Sequence, residues 1–173
     1  YEQKGTLIKC NPSIKEMSDR EALRKALLEG YIDYVATDHA PHLLEGKSND
    51  YMECPSGMPS IQHTLLVLLE LVREGIYSLK DLPYYLSHKV ADRFKIIDRG
   101  YIREGYWADL VLVDLDSPHS ASRENVSYFC GWSPFEGDTF NSKVVSTFVN
   151  GNLVYSEGRI LESNQGVQLE FDR

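Results

Sequence analysis

The sequence has few cysteines, no excess of positive charge and no long apolar run. Its three cysteines, Cys10, Cys54 and Cys130, show no C-x-x-C spacing, which argues against a disulfide framework or a zinc knuckle and favours a reducing, cytoplasmic compartment. A formal charge of −8 argues against nonspecific nucleic-acid binding, which needs a basic surface. No apolar run reaches the roughly 18 residues of a membrane span, so we expect neither nucleic acid nor a membrane as partner.

The composition is otherwise that of a soluble globular protein. The 173 residues suffice for one domain or for parts of two. Because the chain starts at Tyr1 and not at methionine, we interpret it as a piece of a longer protein. It contains no G-x-S-x-G, P-loop or G-x-G-x-x-G motif, so nothing points to a serine hydrolase elbow, a nucleotide-phosphate loop or a dinucleotide fold.

The first part of the chain predicts a strand–helix–strand unit. Thr6–Cys10 is typical of a short strand, and Ser18 with Glu21 forms a capping-box pattern that opens a helix ending at Gly30. Ile32–Thr37 follows as a second strand. Two strands joined by a helix within about 30 residues indicate a parallel βαβ arrangement.

A long loop and an apolar helix come next. Leu43–Pro59 is predicted to be a loop, longer than most strand–helix connections and therefore a candidate for function. Ile61–Glu74 has apolar residues on most faces and ends before Gly75, which predicts a buried helix. Two shorter helices are predicted over Leu79–Leu86 and His88–Phe94.

The chain beyond Ile96 is predicted to be mostly β. Asp109–Asp114 has the pattern of a buried strand, and residues 144–155 form a hairpin pattern around Asn150-Gly151, a pair that suits a type I′ turn. We therefore divide the chain into an α/β portion, residues 1–95, and a β portion, residues 96–173.

Asp38 is the strongest candidate for chemistry. It follows the predicted strand directly, and catalytic groups of barrels built from alternating strands and helices sit at the carboxyl ends of strands. A carboxylate there can ligate a metal ion and take a proton from bound water. The alternative is that Asp38 caps a turn before Pro41, and spacing alone leaves both interpretations open.

Two histidines and an asparagine belong to the same candidate site. His42 lies four residues after Asp38, and Pro41 breaks any helix between them, so His42 is expected to leave a turn into the same cleft and bind a substrate carboxylate. His39 is a ligand or packs under the loop, and packing is favoured. Asn11 ends the preceding strand, where its amide suits an amide or ureido substrate or only closes a turn.

Other residues are assigned plainer roles. Ser56–Pro59 offers main-chain groups that can hydrogen-bond a planar ligand, and the alternative is that the segment is only a loop. Lys47 could steer an anion, but a solvated loop lysine is the favoured interpretation. His63, His88 and His119 show no ligand spacing and are treated as structural or surface residues.

Several of these segments together resemble the carboxyl-terminal part of type I dihydroorotases, members of the amidohydrolase superfamily. The specific part is the signature Ala36–His42 with Lys47. The other similar segments are Lys9–Pro12, Ser56–Ile61, Gly105–Val111, Ser133–Gly137 and Val149–Gly151.

The resemblance implies a fold and an activity. The fold would be α/β: the last strands and helices of a TIM-like (β/α)8 barrel, followed by part of a small β-sandwich domain. The activity would be the zinc-dependent, reversible cyclisation of N-carbamoyl-L-aspartate to dihydroorotate in pyrimidine biosynthesis. Asp38 would be metal ligand and general acid/base, and Asn11, His42, Ser56 and Gly57 would bind this small-molecule substrate.

The remaining zinc ligands of that family are not in this sequence. They are a His-x-His pair, a carboxylated lysine and two further histidines on earlier strands. Since catalytic zinc sites use about three protein ligands, we expect the 173 residues alone to be inactive and to bind metal weakly. Uncovered strand edges would cause them to aggregate, form homo-oligomers or pair with the missing part. A hydantoinase or allantoinase and a noncatalytic amidohydrolase-like scaffold remain the alternatives.

Overall fold

A computed structural model of the chain, which describes residues 1–161 and 166–172, shows a mixed α/β protein. Its elements are α1 (Met17–Leu28), α2 (Leu44–Lys47), α3 (Thr64–Arg73), α4 (Lys89–Phe94), β1 (Leu110–Asp114), β2 (His119–Ser120), β3 (Thr139–Phe140), β4 (Lys143–Val149), β5 (Asn152–Ser156) and β6 (Arg159–Ile160). Short 3-10 helices lie at Gly5–Ile8, Leu79–Asp81 and Arg123–Asn125, and a π-helical turn at Tyr84–His88 leads directly into α4.

The chain forms two compact units that do not follow chain order. The first unit comprises Tyr1–Ile32, Ala36–Val67 and His119–Phe140. The second comprises Asp33–Val35, Leu68–Pro118 and the chain from Asn141 onward. The division into residues 1–95 and 96–173 stays a prediction.

Helix α1 of the first unit begins two residues earlier than its sequence pattern predicts. Its N-cap is Glu16, and the Asp19 carboxylate accepts a hydrogen bond from the Glu16 backbone N–H at 3.1 Å. Ser18 lies inside the helix, so the predicted Ser18 capping box is wrong. Two carboxylates at a helix start suit the positive end of the helix dipole, which explains why a glutamate serves where serine was expected.

The two strands predicted in the first part of the chain are not formed. Gly5–Ile8 is a 3-10 helix, and residues 32–37 are irregular. A β-strand forms only where a neighbouring strand accepts and donates its backbone hydrogen bonds. Within residues 1–161 and 166–172 no other strand pairs with either segment. Across the described residues, parallel pairing is limited to one bridge between His39 and Met58 in the first unit.

Helix α3 confirms the predicted apolar helix, although it is shorter at both ends. Its leucines Leu66, Leu68 and Leu69 are buried, as expected. Gly75 follows with φ +77°, and its N–H bonds to the Val72 carbonyl at 2.9 Å, a conformation that favours glycine after a helix. The predicted loop before α3 contains the short helix α2.

The second unit is built on an antiparallel four-stranded sheet in the order β1-β4-β5-β6. The predicted hairpin is confirmed: β4 and β5 are joined by Asn150 and Gly151, with φ of 52° and 82°, as a type I′ turn requires. Strand β1 is present, but Val111 and Leu112 are about half exposed, at 48 % and 50 %. The expectation of a buried β1 is therefore wrong for the described residues, where β1 is an edge strand.

Candidate functional site

Asp38 lies on the surface of the first unit in an unusual backbone conformation. It is exposed, and its φ of 44° places it in the left-handed region, which aspartate tolerates better than most residues. Within the described part of the chain no hydrogen bond or ion pair involves its carboxylate. The hydrogen bond that a turn-capping role requires is therefore not seen. The carboxylate is available to bind a metal ion or a substrate.

The segment that follows Asp38 lies beside the loop at residues 56–58. The Ala40 backbone N–H donates to the Met58 carbonyl at 3.2 Å, next to the His39–Met58 bridge. The His42 Nε2 atom is 3.0 Å from the Ser56 carbonyl oxygen. Because a carbonyl only accepts, Nε2 carries the proton of this bond. Nδ1 of a neutral His42 is then a hydrogen-bond acceptor.

Gly57 lies in close contact with the segment that contains Ala40 and His42. Its φ is +124°, and a Cβ atom at this position would lie 2.4 Å from Ala40 Cβ and 3.3 Å from His42 Nε2. Its N–H donates to the Lys9 carbonyl at 2.9 Å, two residues before Asn11. Glycine is thus required here both by backbone conformation and by close approach.

The structure brings the predicted substrate-binding residues together to different degrees. His42, Ser56 and Gly57 are in direct contact. Asn11 is exposed and follows the Lys9 segment that Gly57 binds, while Asp38 precedes the paired segment by one residue. A cleft shared by the Asp38 and His42 side chains stays a prediction.

Lys47 is not the solvated lysine that its loop position predicted. It is fully buried at the end of α2, with 0 % exposure. Its Nζ donates to the carbonyls of Lys9, Pro55 and Gly57 at 3.2, 2.9 and 2.9 Å. A lysine normally stays in water, and only the folding of two other backbone segments around it, at Lys9 and at residues 55–57, could reveal this burial.

Two aromatic residues missed by the sequence reasoning support the same region. Trp132 is 1 % exposed, and its Nε1–H donates to the His42 carbonyl at 2.8 Å.

The Tyr128 ring lies 5.0 Å from the His39 ring, and burial raises the pKa of Tyr128 to about 12. His39 Nδ1 accepts the Ser60 N–H at 3.1 Å, which agrees with the packing role favoured for His39. The available signal was the segment Ser133–Gly137, next to Trp132.

His63 is a buried structural histidine, as expected. It is 2 % exposed, its Nδ1 lies 3.2 Å from Ser133 Oγ, and its ring stacks on Phe140 at 5.5 Å. Burial, and secondarily the nearby His119, lower the pKa of His63 from its ordinary value of 6.5. The imidazole is therefore kept neutral inside the first unit.

The lowered pKa of His63 predicts a loss of stability in acid. As pH falls below about 6.5, the unfolded chain takes up a proton on His63 before the folded chain does, so the free energy of unfolding decreases. A His63→Gln variant should show a flatter decrease between pH 7 and pH 5 than the wild type in thermal melts. Equal slopes in the variant and the wild type would contradict the assignment.

The described residues match only one part of the expected zinc site. Among residues 1–161 and 166–172 no group of three histidine, cysteine, aspartate or glutamate side chains could hold a metal ion. The unpaired carboxylate of Asp38 fits as one oxygen ligand. A catalytic zinc needs about three protein ligands. Asp38 can supply one of them, and the described residues do not supply the others.

Two surface cavities lie in the second unit. The larger, of about 410 Å³, is lined by residues 93–95 with Phe171 and Asp172. The other, of about 290 Å³, includes Arg99 and Trp107. Neither contains a predicted site residue, so the candidate site is defined by its hydrogen bonds and not by these cavities. Across residues 1–161 and 166–172, none of the helices has both the length and the apolar character of a membrane span.

The chain is similar to proteins of one family. Residues 8–154 match the model of the amidohydrolase family. The chain is 38 % identical over 154 residues to a dihydroorotase of Clostridium acetobutylicum, covering 88 % of this chain and 36 % of that protein. It is 34 % identical over 158 residues to a dihydroorotase of Bacillus subtilis, covering 91 % and 37 %. The chain thus spans little more than a third of these relatives.

Solved structures give the same fold. The L-hydantoinase (dihydropyrimidinase) from Arthrobacter aurescens matches with a TM-score of 0.84 at 27 % identity, covering 93 % of this chain and 37 % of that one. The dihydropyrimidinase from Brevibacillus agri matches with a TM-score of 0.83 at 28 % identity, covering 90 % and 35 %.

Proposed function

This chain belongs to the amidohydrolase family, and on that premise we propose that the protein is a cyclic amide hydrolase, specifically a dihydroorotase. It would interconvert N-carbamoyl-L-aspartate and dihydroorotate in pyrimidine biosynthesis, in the cytoplasm. Dihydroorotases at 34–38 % identity support this substrate. The chain would supply the end of a (β/α)8 barrel and part of a β-sandwich domain.

The observation that carries the proposal is the free carboxylate of Asp38. It is exposed and without a partner in the described structure, and its residue is held at a φ of 44°. Rarely populated backbone conformations cost energy and cluster at functional sites. In the proposed reaction Asp38 takes a proton from the attacking water and delivers it to the ring nitrogen that leaves.

The neighbouring loop suits the substrate. The His42 imidazole, which donates to the Ser56 carbonyl through Nε2, has Nδ1 left for the substrate, as an acceptor when neutral and as a donor to a carboxylate when charged. Among the described residues the Ser56 N–H makes no hydrogen bond, and the Ser56 and Gly57 carbonyls each keep a second lone pair, so this main chain can still bind a planar ring amide. Asn11 would add an amide that can both donate and accept.

The proposed cofactor is zinc, with Asp38 as one ligand. When bound, zinc would lower the pKa of a water molecule and polarise the carbonyl of the ring amide. The described residues fit one position of such a site, so the other ligands are expected from residues outside the described structure. A small molecule is the only partner that the proposal needs, and homo-oligomerisation stays an open prediction.

A hydantoinase-type or allantoinase-type cyclic amidase is the second candidate. The specific observation in its favour is the close match to L-hydantoinase and dihydropyrimidinase structures at 27 % and 28 % identity. A noncatalytic scaffold is the third, because the described residues lack a complete ligand set.

Substrate comparison and metal removal test the proposal in the full-length protein. We expect kcat/KM for dihydroorotate to exceed the values for hydantoin and allantoin by at least about tenfold. Dialysis against a chelator should abolish turnover, and zinc should restore it. Preference for hydantoin or allantoin would favour the second candidate. No turnover of any substrate, with no zinc in the purified protein, would favour the scaffold.

A further inference from the structure

The buried ammonium group of Lys47 joins two backbone segments of the first unit, at Lys9 and at residues 55–57. Its acceptors are the carbonyls of Lys9, Pro55 and Gly57, at 3.2, 2.9 and 2.9 Å. A lysine ammonium has three protons to donate, and each of them meets one carbonyl. The backbone of Lys47 is held as well, because Thr6 Oγ1 donates to the Lys47 carbonyl at 2.5 Å.

The charge of Lys47 is compensated by carbonyl dipoles. It is fully buried, and among the described residues no carboxylate forms a salt bridge with its Nζ. A buried cation is tolerated only when its hydrogen bonds are made. The lysine and the loop therefore require each other: if residues 55–57 moved away, the ammonium would lose two of its three acceptors.

The segment that Lys47 holds is the one that meets the candidate site. Gly57 is fixed through both of its backbone polar groups, since its N–H binds the Lys9 carbonyl at 2.9 Å and its carbonyl binds Lys47. The Ser56 carbonyl between them is thereby presented to His42 Nε2 at 3.0 Å. Without the Lys47 ammonium, residues 55–57 would keep the hydrogen bond from the Gly57 N–H to the Lys9 carbonyl but lose both of their bonds to Lys47.

We propose that Lys47 is a positioning residue whose buried ammonium holds residues 55–57 in the conformation that binds substrate. The inference rests on the proposed function for what the loop binds, and it adds a residue that does not touch the reacting atoms. Lys47 acts through the Ser56–Gly57 main chain and through the orientation of His42.

The test replaces Lys47 by methionine, which keeps most of the volume and removes the donors, in the full-length protein. We expect KM for dihydroorotate to rise about tenfold or more while kcat changes less than about threefold. Hydrogen–deuterium exchange in peptides covering residues 54–59 should become about tenfold faster, because the loop opens more often once the Pro55 and Gly57 carbonyls lose their Lys47 donor. Lys25→Met removes an exposed lysine of α1 that pairs with Glu29 at 3.6 Å and should change neither quantity.

Several outcomes separate this inference from the proposed function. A folded Lys47→Met protein with wild-type KM and wild-type exchange at residues 54–59 overturns it. If that variant does not fold, Lys47→Arg, which keeps the charge, carries the same comparison and must show faster exchange in that loop. If no cyclic amide is turned over by the wild type and exchange still accelerates in Lys47→Met, the loop is held as inferred and the proposed function is what fails.

Discussion

Replacement of Asp38 by asparagine is expected to lower kcat for dihydroorotate by about 10²- to 10⁴-fold, the usual contribution of a general acid or base. Asparagine keeps the size of the side chain and, like aspartate, tolerates the left-handed backbone at φ 44°. It cannot take up or release a proton in the required range. The loss should therefore fall on the rate and leave the melting temperature unchanged.

The chain offers a matched control for this variant in Asp98. Asp98 is also an exposed aspartate in the left-handed region, with φ 54°, and Asp98→Asn should keep wild-type kcat. If Asp38→Asn lowers the melting temperature and spares the rate, the carboxylate has the turn-capping role that the sequence left open. Equal rates in both variants and the wild type would remove Asp38 from the mechanism.

Of the substitutions considered, Gly57→Ala is expected to lower the free energy of unfolding most. The added Cβ would lie 2.4 Å from Ala40 Cβ, and the residue would have to adopt a φ of +124°. Overpacking costs about 1–3 kcal/mol, and a left-handed backbone adds about 1–2 kcal/mol for a residue with a Cβ. Relief of the clash would move the loop away from His42, so kcat/KM should fall together with the melting temperature.

Two further variants separate the clash from the backbone strain. Gly30→Ala has the strain alone, since Gly30 has φ +77° and nothing within 4 Å of a built Cβ, and it should lose only about 1–2 kcal/mol. Ala40→Gly combined with Gly57→Ala removes the clashing methyl and should recover part of the loss in a double-mutant cycle. A Gly57→Ala protein as stable and as active as Gly30→Ala would show that the loop does not need this contact.

Features set by neighbouring residues could be predicted from the sequence. The Asn150-Gly151 turn requires two positive φ values that these residue types adopt readily, and the hairpin around it was confirmed. Gly75 after α3 follows from the same local conformational preference. The resemblance of Ala36–His42 to a known signature pointed to the segment that the structure places against the loop containing Ser56.

Features that depend on distant partners could not be predicted. The segments Thr6–Cys10 and Ile32–Thr37 have strand-like sequences, but a strand needs a neighbour, and the described structure provides none for them. The burial of Lys47 requires carbonyls from two other segments of the chain, at Lys9 and at residues 55–57, which no local pattern encodes. The contact from Trp132 to the His42 carbonyl joins residues 90 positions apart, and no spacing rule reaches that far.

The indole of Trp132 gives this protein an optical reporter beside its candidate site. Its ring is almost completely shielded, whereas the ring of Trp107 is 47 % exposed, so a soluble quencher such as iodide would suppress the emission of Trp107 and leave that of Trp132. Within these 173 residues the remaining fluorescence comes from Trp132, whose indole N–H is bound to the backbone of His42. A movement of that backbone when a ligand arrives would change the emission wavelength, with no label attached.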